Sequence, residues 1–396
     1  MGEPVGNDER QQVNFELTQD QEAMVSAVQR VSRDAIEPIM ASHPVSAPLP
    51  KEAMLRIYAH LAELGITAPR LPEEAGGGGL KMLDYGMLIE QLPPVVALSL
   101  ISHEGTISRI HAGCPREIRD AYLPDLIAGR KIACTANSEA DAGSDSNAVK
   151  TRLEIDGDHA YITGRKMWIT NASICDVVNV SCTAGAGPGG KPLTRRVLVD
   201  RSQSDFEVRE TPVTGLQQGH LSEIEFDRSR VPLSHVLGEP GDAGKYLTLA
   251  WNANRPLLGL MTVHLAQRAL DMTREYVGLR KQFGKTLGAH QLVQQDLSDI
   301  ETRVMSARLM CYYALSCMDR GLRANGTSAM AKRYATHACE RAINLAMQLH
   351  GAMGITQELP LERMWRDARM FQVPDGTMGI LALIHGRELT GIGAFR

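Results

Sequence analysis

From Thr18 to about Leu126 apolar residues recur at three- and four-residue spacing, as in LTQDQEAMVSAVQRVSRDAIEPIM and MLDYGMLIEQL. This is the spacing of helices with one buried face, the first opening on Thr18 as its cap. From about Cys134 to Val236 the pattern shortens to β-rich runs: KTRLEID, HAYITG, DVVNVSCT, RRVLVD and LSEIEFD. Turn signals divide them, Asp156-Gly157 and the loop AGAGPGGKP among them, which predicts a small antiparallel sheet. Helical spacing returns from about Lys245 in long stretches such as PLLGLMTVHLAQRALDMTREYVGLRK and QLVQQDLSDIETRVMSARLMCYYALSCM, long enough for a bundle. The expected organisation is mainly α with a central β domain, divided at 1–133, 134–240 and 241–396. Where a sheet meets a bundle, clefts form, and such junctions favour ligand sites.

Composition narrows the function. With 396 residues the chain is large enough for two or three structural units. A net charge of −4 offers no broad basic surface for nucleic acid. The opening MGEPVGNDERQQ lacks the apolar core of a secretory signal and no segment has membrane-span length, so a cytoplasmic protein without membrane insertion is expected. Gly6 stands where a myristoylation signal needs Ser or Thr. Seven cysteines lie scattered without metal-ligand spacing and read as reduced, buried thiols. The run PEEAGGGGL (72–80) lacks the GK[ST] ending of a phosphate loop and reads as a flexible connector.

No zinc, P-loop, nucleophile-elbow or Rossmann signature is present. Instead SEADAGSD (138–145) resembles the TEPxAGSD segment of acyl-CoA dehydrogenases, and YITGRKMWITNAS (161–173) their ITGxKxWITN segment. LRKQFGKTLGAHQLVQ resembles their RxxFGxxLxxxQ, and MQLHGAMG their QxxGGxG. The resemblance runs from about Leu17 to Leu389. It implies that family's fold, with a β-barrel-like middle domain and a C-terminal four-helix bundle, FAD as cofactor, and a homotetramer in which FAD bridges subunits. Carried over residue by residue, Thr135, Ser138, Trp168 and Thr170 would lie on the flavin ring, and Gln348, Gly351 and Thr377 beside the cofactor. Arg280 would hold the pyrophosphate, with Gln282, Phe283, His290 and Gln291 around the adenosine half. His350 falls outside the pattern and reads as structural. Ser144, and Trp251, Asn252, Asn254 and Arg255 of WNANRP, would face the substrate, an acyl-CoA or an acyl-carrier-protein thioester, together with Gly376. Without that context Trp168 reads as a half-buried strand aromatic, Ser144 as part of a turn, and Arg280 as a helix-end cation.

The family's reaction removes a proton from Cα of a thioester while hydride leaves Cβ for flavin N5, and electrons pass on to an electron-transfer flavoprotein. WRDARMFQVPDGTMGI (365–380) matches the segment that carries the base, and Asp375 stands where most relatives have Glu. A second branch carries its base on the substrate helix, at the position of Asn254, which cannot take a proton. Asp375 is one methylene shorter than Glu, and Pro374 and Gly379 also depart from the pattern. The competing readings are a monooxygenase, desulfinase or oxidase on the same fold, or a catalytically weak subunit of a mixed complex.

Overall fold

The computed structural model describes residues 16–146, 148–187, 192–241 and 243–393. The opening polar segment and part of the AGAGPGGKP loop lie outside the described residues. Six helices come first: α1 (Gln19–Val31), α2 (Glu37–Ala41), α3 (Lys51–Glu63), α4 (Met82–Ile89), α5 (Pro94–Gly113) and α6 (Arg116–Ile127). Thr18 caps α1 as expected. Its hydroxyl accepts from the Gln21 amide while the Gln21 side chain reaches back to the Thr18 amide, satisfying two donors that a helix start leaves orphaned.

The middle of the chain forms one sheet: β1 (Ala133–Ala136), β2 (Arg152–Asp156), β3 (His159–Thr170), β4 (Val177–Ala186), β5 (Pro192–Asp200), β6 (Glu207–Glu210), β7 (Leu221–Pro232) and β8 (Val236–Leu237). Its order is β6-β7-β3-β2-β4-β5-β8, with β1 joined to β4 off that path. The antiparallel, barrel-like expectation needs correction. The sheet is open, and β4 runs parallel to both β1 and β2. Hairpins such as β2–β3 are local and show in the sequence. The β1–β4 pair joins strands more than forty residues apart through other elements, so only the folded chain reveals its direction.

One face of the sheet is an apolar core that includes Ile162, Val178, Val180, Val197 and Phe226. The other packs against α5 and α6 through Val177, Leu198, Ile107 and Ile110. Asn171, at the end of β3 with φ 69°, ties the two layers. Its amide donates to the Ser99 carbonyl at 2.9 Å and its oxygen accepts from the Ser99 hydroxyl at 2.7 Å.

The C-terminal part packs α7 (Ala243–Leu279), α8 (Gln291–Asp319), α9 (Asn325–Leu349) and α11 (Met378–Thr390), with α10 (Leu361–Met370) leading into α11. Between α7 and α8 lies a small hairpin of β9 (Lys281–Gln282) and β10 (Lys285–Thr286). Alanines of α9 (329, 331, 335, 338, 342 and 346) are all buried, which lets α7 and α8 approach closely. A Cβ on Gly259 of α7 would stand 2.5 Å from Cys311 Sγ of α8. All seven cysteines are free and buried, as the composition implied. No helix among the described residues is long and apolar enough to cross a membrane.

The glycine run at 76–79 is not the slack connector that its composition suggests. The amides of Gly77, Gly78, Gly79 and Leu80 bond the carbonyls of Pro72, Ala68, Leu71 and Pro69. A Cβ on Gly77 would stand 2.3 Å from Leu71, so glycine is needed there for close packing.

The loop 138–145 is held by Glu139. Its carboxylate accepts from Lys166 Nζ at 2.7 Å, from the amides of Lys150 and Thr151, and from the Thr151 hydroxyl at 2.6 Å. Burial pushes the Glu139 carboxyl up, but Lys166 and these donors outweigh it and hold the group below its ordinary value. Lys166 is wholly enclosed, so removing its partner would leave a buried charge uncompensated. Glu139→Ala should lower stability by about 3–5 kcal/mol, read as a fall in the urea midpoint. An unchanged midpoint would show that the ion pair does not hold this loop.

Candidate functional site

Asp375 sits in the turn between α10 and α11 with φ 54°, a left-handed conformation that Asp tolerates better than most residues, and Gly376 follows at φ 111°. The turn leaves three successive carbonyls outside any helix ladder. Two cations from the bundle receive them. Lys332 of α9 donates to Pro374 O and, at 2.8 Å, to Gly376 O, and Arg255 of α7 donates through Nε to Asp375 O at 3.0 Å. Arg255 also donates to Asn325 at 3.0 Å and Asn252 at 3.4 Å, and lies over the Trp251 ring at 5.9 Å. Thr377 caps α11 by accepting from the Ile380 amide.

Asn254 neighbours the Asp375 carboxyl and acts on it as a polar donor. The two positions at which a base was sought in the sequence therefore meet at one point. Burial raises the Asp375 carboxyl above its ordinary value, against the opposing pull of Lys332, Arg255, Asn254 and Arg109. Lys332 moves the other way, pushed down to about 7 by burial despite the nearby Asp375 carboxylate. Sequence reading missed Lys332 because one lysine in a helix carries no signal of what its ammonium reaches. Arg109 of α5 was missed for the same reason.

On the sheet, the pairing of β3 with β7 slips between Lys166 and Ile169. Such a bulge re-aims the side chain it carries. Trp168 lies in it at φ 63°, with the residue 52% exposed. A large aromatic in a strained conformation facing outward marks a surface that something planar would cover. Ser138 lies beside it, its carbonyl accepting from the Met167 amide at 2.9 Å, and Thr170 ends the same strand. Thr135 faces α5 instead: its hydroxyl accepts from Arg109 Nη1 at 2.5 Å and pairs with Thr106 at 2.9 Å. Ser144 is exposed in its turn.

A third group lies far away. Arg255 and Arg280 are 25 residues apart, and all but the last of those residues belong to α7, so they are separated by roughly 38 Å along its axis. Around Arg280 the hairpin is open: Phe283 is 94% exposed with φ 51° and touches only the edge of His290, while His290 Nε2 lies 3.3 Å from Gln282 O. Gln282 and Gln291 are exposed, and Arg280 has no carboxylate partner among the described residues. Gln348 and Gly351 (φ 59°) are exposed at the end of α9. His350 is buried and stacked on Tyr276 at 4.3 Å, a packing role. Within one chain, then, Asp375, Gly376, Asn252, Asn254, Arg255 and Trp251 come together, while the segment 280–291 does not reach them.

WRDAR also holds the structure together. Arg366 forks onto Glu362 and donates to Thr214 O, and the Asp367 carboxylate accepts from the Leu216 amide at 2.5 Å. These contacts lock the sheet's 214–217 segment to α10 and so fix the cleft walls. Among the described residues no cluster of side chains could hold a metal ion.

Three descriptions of one family match in series: "Acyl-CoA dehydrogenase, N-terminal domain" over residues 18–130, "middle domain" over 134–229 and "C-terminal domain" over 244–390. The chain is 32% identical over 382 residues to a protein named probable acyl-CoA dehydrogenase FadE25 of Mycobacterium tuberculosis, covering 95% of this chain and 96% of that protein. A glutaryl-CoA dehydrogenase from Mycobacterium smegmatis superposes with TM-score 0.88 and 28% identity, covering 96% of this chain and 97% of that one. Butyryl-CoA dehydrogenase of Megasphaera elsdenii shares the fold, with TM-score 0.89 at 24% identity over 96% of this chain and 100% of its own. With a matching three-part profile over nearly its whole length and a half-buried carboxyl at the junction of its bundle helices, this chain belongs to the acyl-CoA dehydrogenase family.

Proposed function

We propose that this chain desaturates an acyl-CoA thioester between Cα and Cβ, with Asp375 as the base and FAD as the electron acceptor. The observation that carries the reading is the convergence on Asp375. It is a carboxyl of raised proton affinity beside Asn254, on a turn whose carbonyls Lys332 and Arg255 hold at the bundle junction. A carboxylate taken partly out of water is a stronger base, which an α-proton requires. Its left-handed backbone and clamped carbonyls fix its approach, which matters because about 1 Å of misplacement can cost a hundredfold in rate.

Trp168, Ser138 and Thr170 suit a planar ring on the outer face of the sheet, and FAD bound there supplies the acceptor for the two electrons leaving Cβ as hydride. Gln348, Gly351 and Thr377 fall to the rest of the cofactor. Arg280, Gln282, Phe283, His290 and Gln291 suit its phosphates and adenosine, a guanidinium against a phosphate being a matched pair. Since Arg280 lies roughly 38 Å from Arg255 along one helix, that segment would serve a site completed by another copy of the chain, which supports a homo-oligomer. Ser144, Trp251, Asn252, Arg255 and Gly376 are assigned to the thioester and its carrier. An electron-transfer flavoprotein is the expected onward acceptor, and no membrane attachment or nucleic acid is invoked.

Asp375→Asn should retain FAD and lose flavin bleaching by an acyl-CoA panel under anaerobic titration; bleaching at the wild-type rate would remove Asp375 as base. Arg280→Ala should lower FAD occupancy of the purified protein, measured from the visible absorbance relative to protein, and full occupancy would take Arg280 out of the site. The wild-type rate should climb with pH through a value above the ordinary carboxylate range, because the base acts only when deprotonated. The Lys332 ammonium lowers that value, so Lys332→Met should move the rising limb to higher pH. A limb that stays in place would remove Lys332 from the electrostatics of the base.

A further inference from the structure

A buried guanidinium, Arg196, and a half-buried one, Arg109, each keep idle donors. Arg196 of β5 is 5% exposed. Its Nη1 donates to Asn137 Oδ1 at 2.7 Å, but Nε and Nη2, the edge that matches a carboxylate side-on, are enclosed with no partner among the described residues. Arg109 of α5 donates Nη1 to Thr135 Oγ1 at 2.5 Å and to Gly105 O at 3.2 Å, and its Nε is likewise unpartnered.

Strand register brings the two together. Thr135 lies opposite Asn179, and Ser181 opposite Arg196, so Thr135, Asn137, Asn179, Ser181 and Arg196 share the face that meets α5. Both amide atoms of Asn179 are buried without partners. Burial together with the charge of Arg109 depresses Arg196 well below its ordinary value, and burial brings Arg109 down to about 10.

The carboxylates nearby do not neutralise this pair. Glu104 acts on Arg109, but it already accepts both nitrogens of the Arg70 fork and the Ser108 hydroxyl. Asp375 is the other carboxylate that acts on Arg109, which places this guanidinium within electrostatic reach of the base. A cation pair with idle donors, one member of which feels the charge of Asp375, calls for an anion arriving with the substrate.

We propose that the acyl group taken by this chain ends in an acidic function, a carboxylate or its like, which Arg109 binds with Arg196 and Asn179 behind it. The inference rests on the reading of Asp375 as base only for the direction from which the chain enters. It adds the substrate class: an ω-acidic thioester rather than a simple fatty acyl chain. Desaturation itself is unchanged, since the distal acid neither gains nor loses a proton or an electron.

The test uses the flavin-loaded protein and CoA thioesters matched in length, one ending in methyl and the other in carboxylate. Binding is read by calorimetry and turnover by anaerobic flavin bleaching. At the preferred length the carboxylate-ended thioester should bind about 10- to 100-fold more tightly. In Arg109→Met that ratio should collapse toward one, and Arg109→Lys, which keeps the charge, should retain part of it. Equal or tighter binding of the methyl-ended partner at every length overturns the proposal, and this comparison needs no variant. A ratio that survives Arg109→Met also overturns it. Chloride or a free dicarboxylate that binds the protein and leaves no preference between the thioesters would show a resident anion instead. Selective binding without bleaching would refute the desaturation reading and leave this one standing; bleaching by methyl-ended thioesters alone would do the reverse.

Discussion

The turn that presents Asp375 can exist because two cations accept a poor environment. Pro374, Asp375 and Gly376 present consecutive carbonyls to the bundle, outside any helix ladder. Lys332 and Arg255 supply the missing donors, and the depression of Lys332 to about 7 shows how strongly burial opposes its charge. Their positive charge then opposes the desolvation that would otherwise keep Asp375 protonated. One arrangement thus sets both the shape of the turn and the proton affinity of its side chain. Neither can be altered separately, since the nitrogens that hold the carbonyls are also the charges that act on the carboxyl.

The walls around that turn come from separate parts of the chain, and polar contacts act beside apolar packing at their seams. Asn171 joins β3 to α5 through Ser99, while Arg366 and Asp367 join the 214–217 segment to α10. A hydrogen bond is directional where burial of apolar area is not. Contacts of this kind at the seams therefore fix register between layers that hydrophobic packing alone would let slide. The segments MWITN and WRDAR each combine two roles: Trp168 faces outward, whereas Asn171 and Asp367 fasten the scaffold.

Much of this was legible in the sequence. Period alone separates the helical ends from the sheet, and the runs read as strands became β2, β3, β4, β5 and β7. What escaped was whatever depends on long-range pairing or on where a long side chain ends. The parallel partners of β4 belong to the first class. Lys332, Arg109 and Arg196 belong to the second: each occupies an ordinary helix or strand position, and its role is set by a charged tip several bonds from the backbone. The glycine run at 76–79 misled for a different reason, because composition cannot distinguish freedom of movement from closeness of packing.

An Asp side chain at 375 reaches one methylene less far than a Glu would, but its surroundings bear on what that means. The left-handed turn at Asp375 and the Arg255 contact to its own carbonyl decide where the side chain starts, and Asn254 is its polar neighbour. The Asp375 carboxyl and the Asn254 amide are neighbours contributed by the turn and by α7. The setting of this carboxyl therefore belongs to α7, α9 and the turn together, since Asn254, Arg255 and Lys332 all act on it.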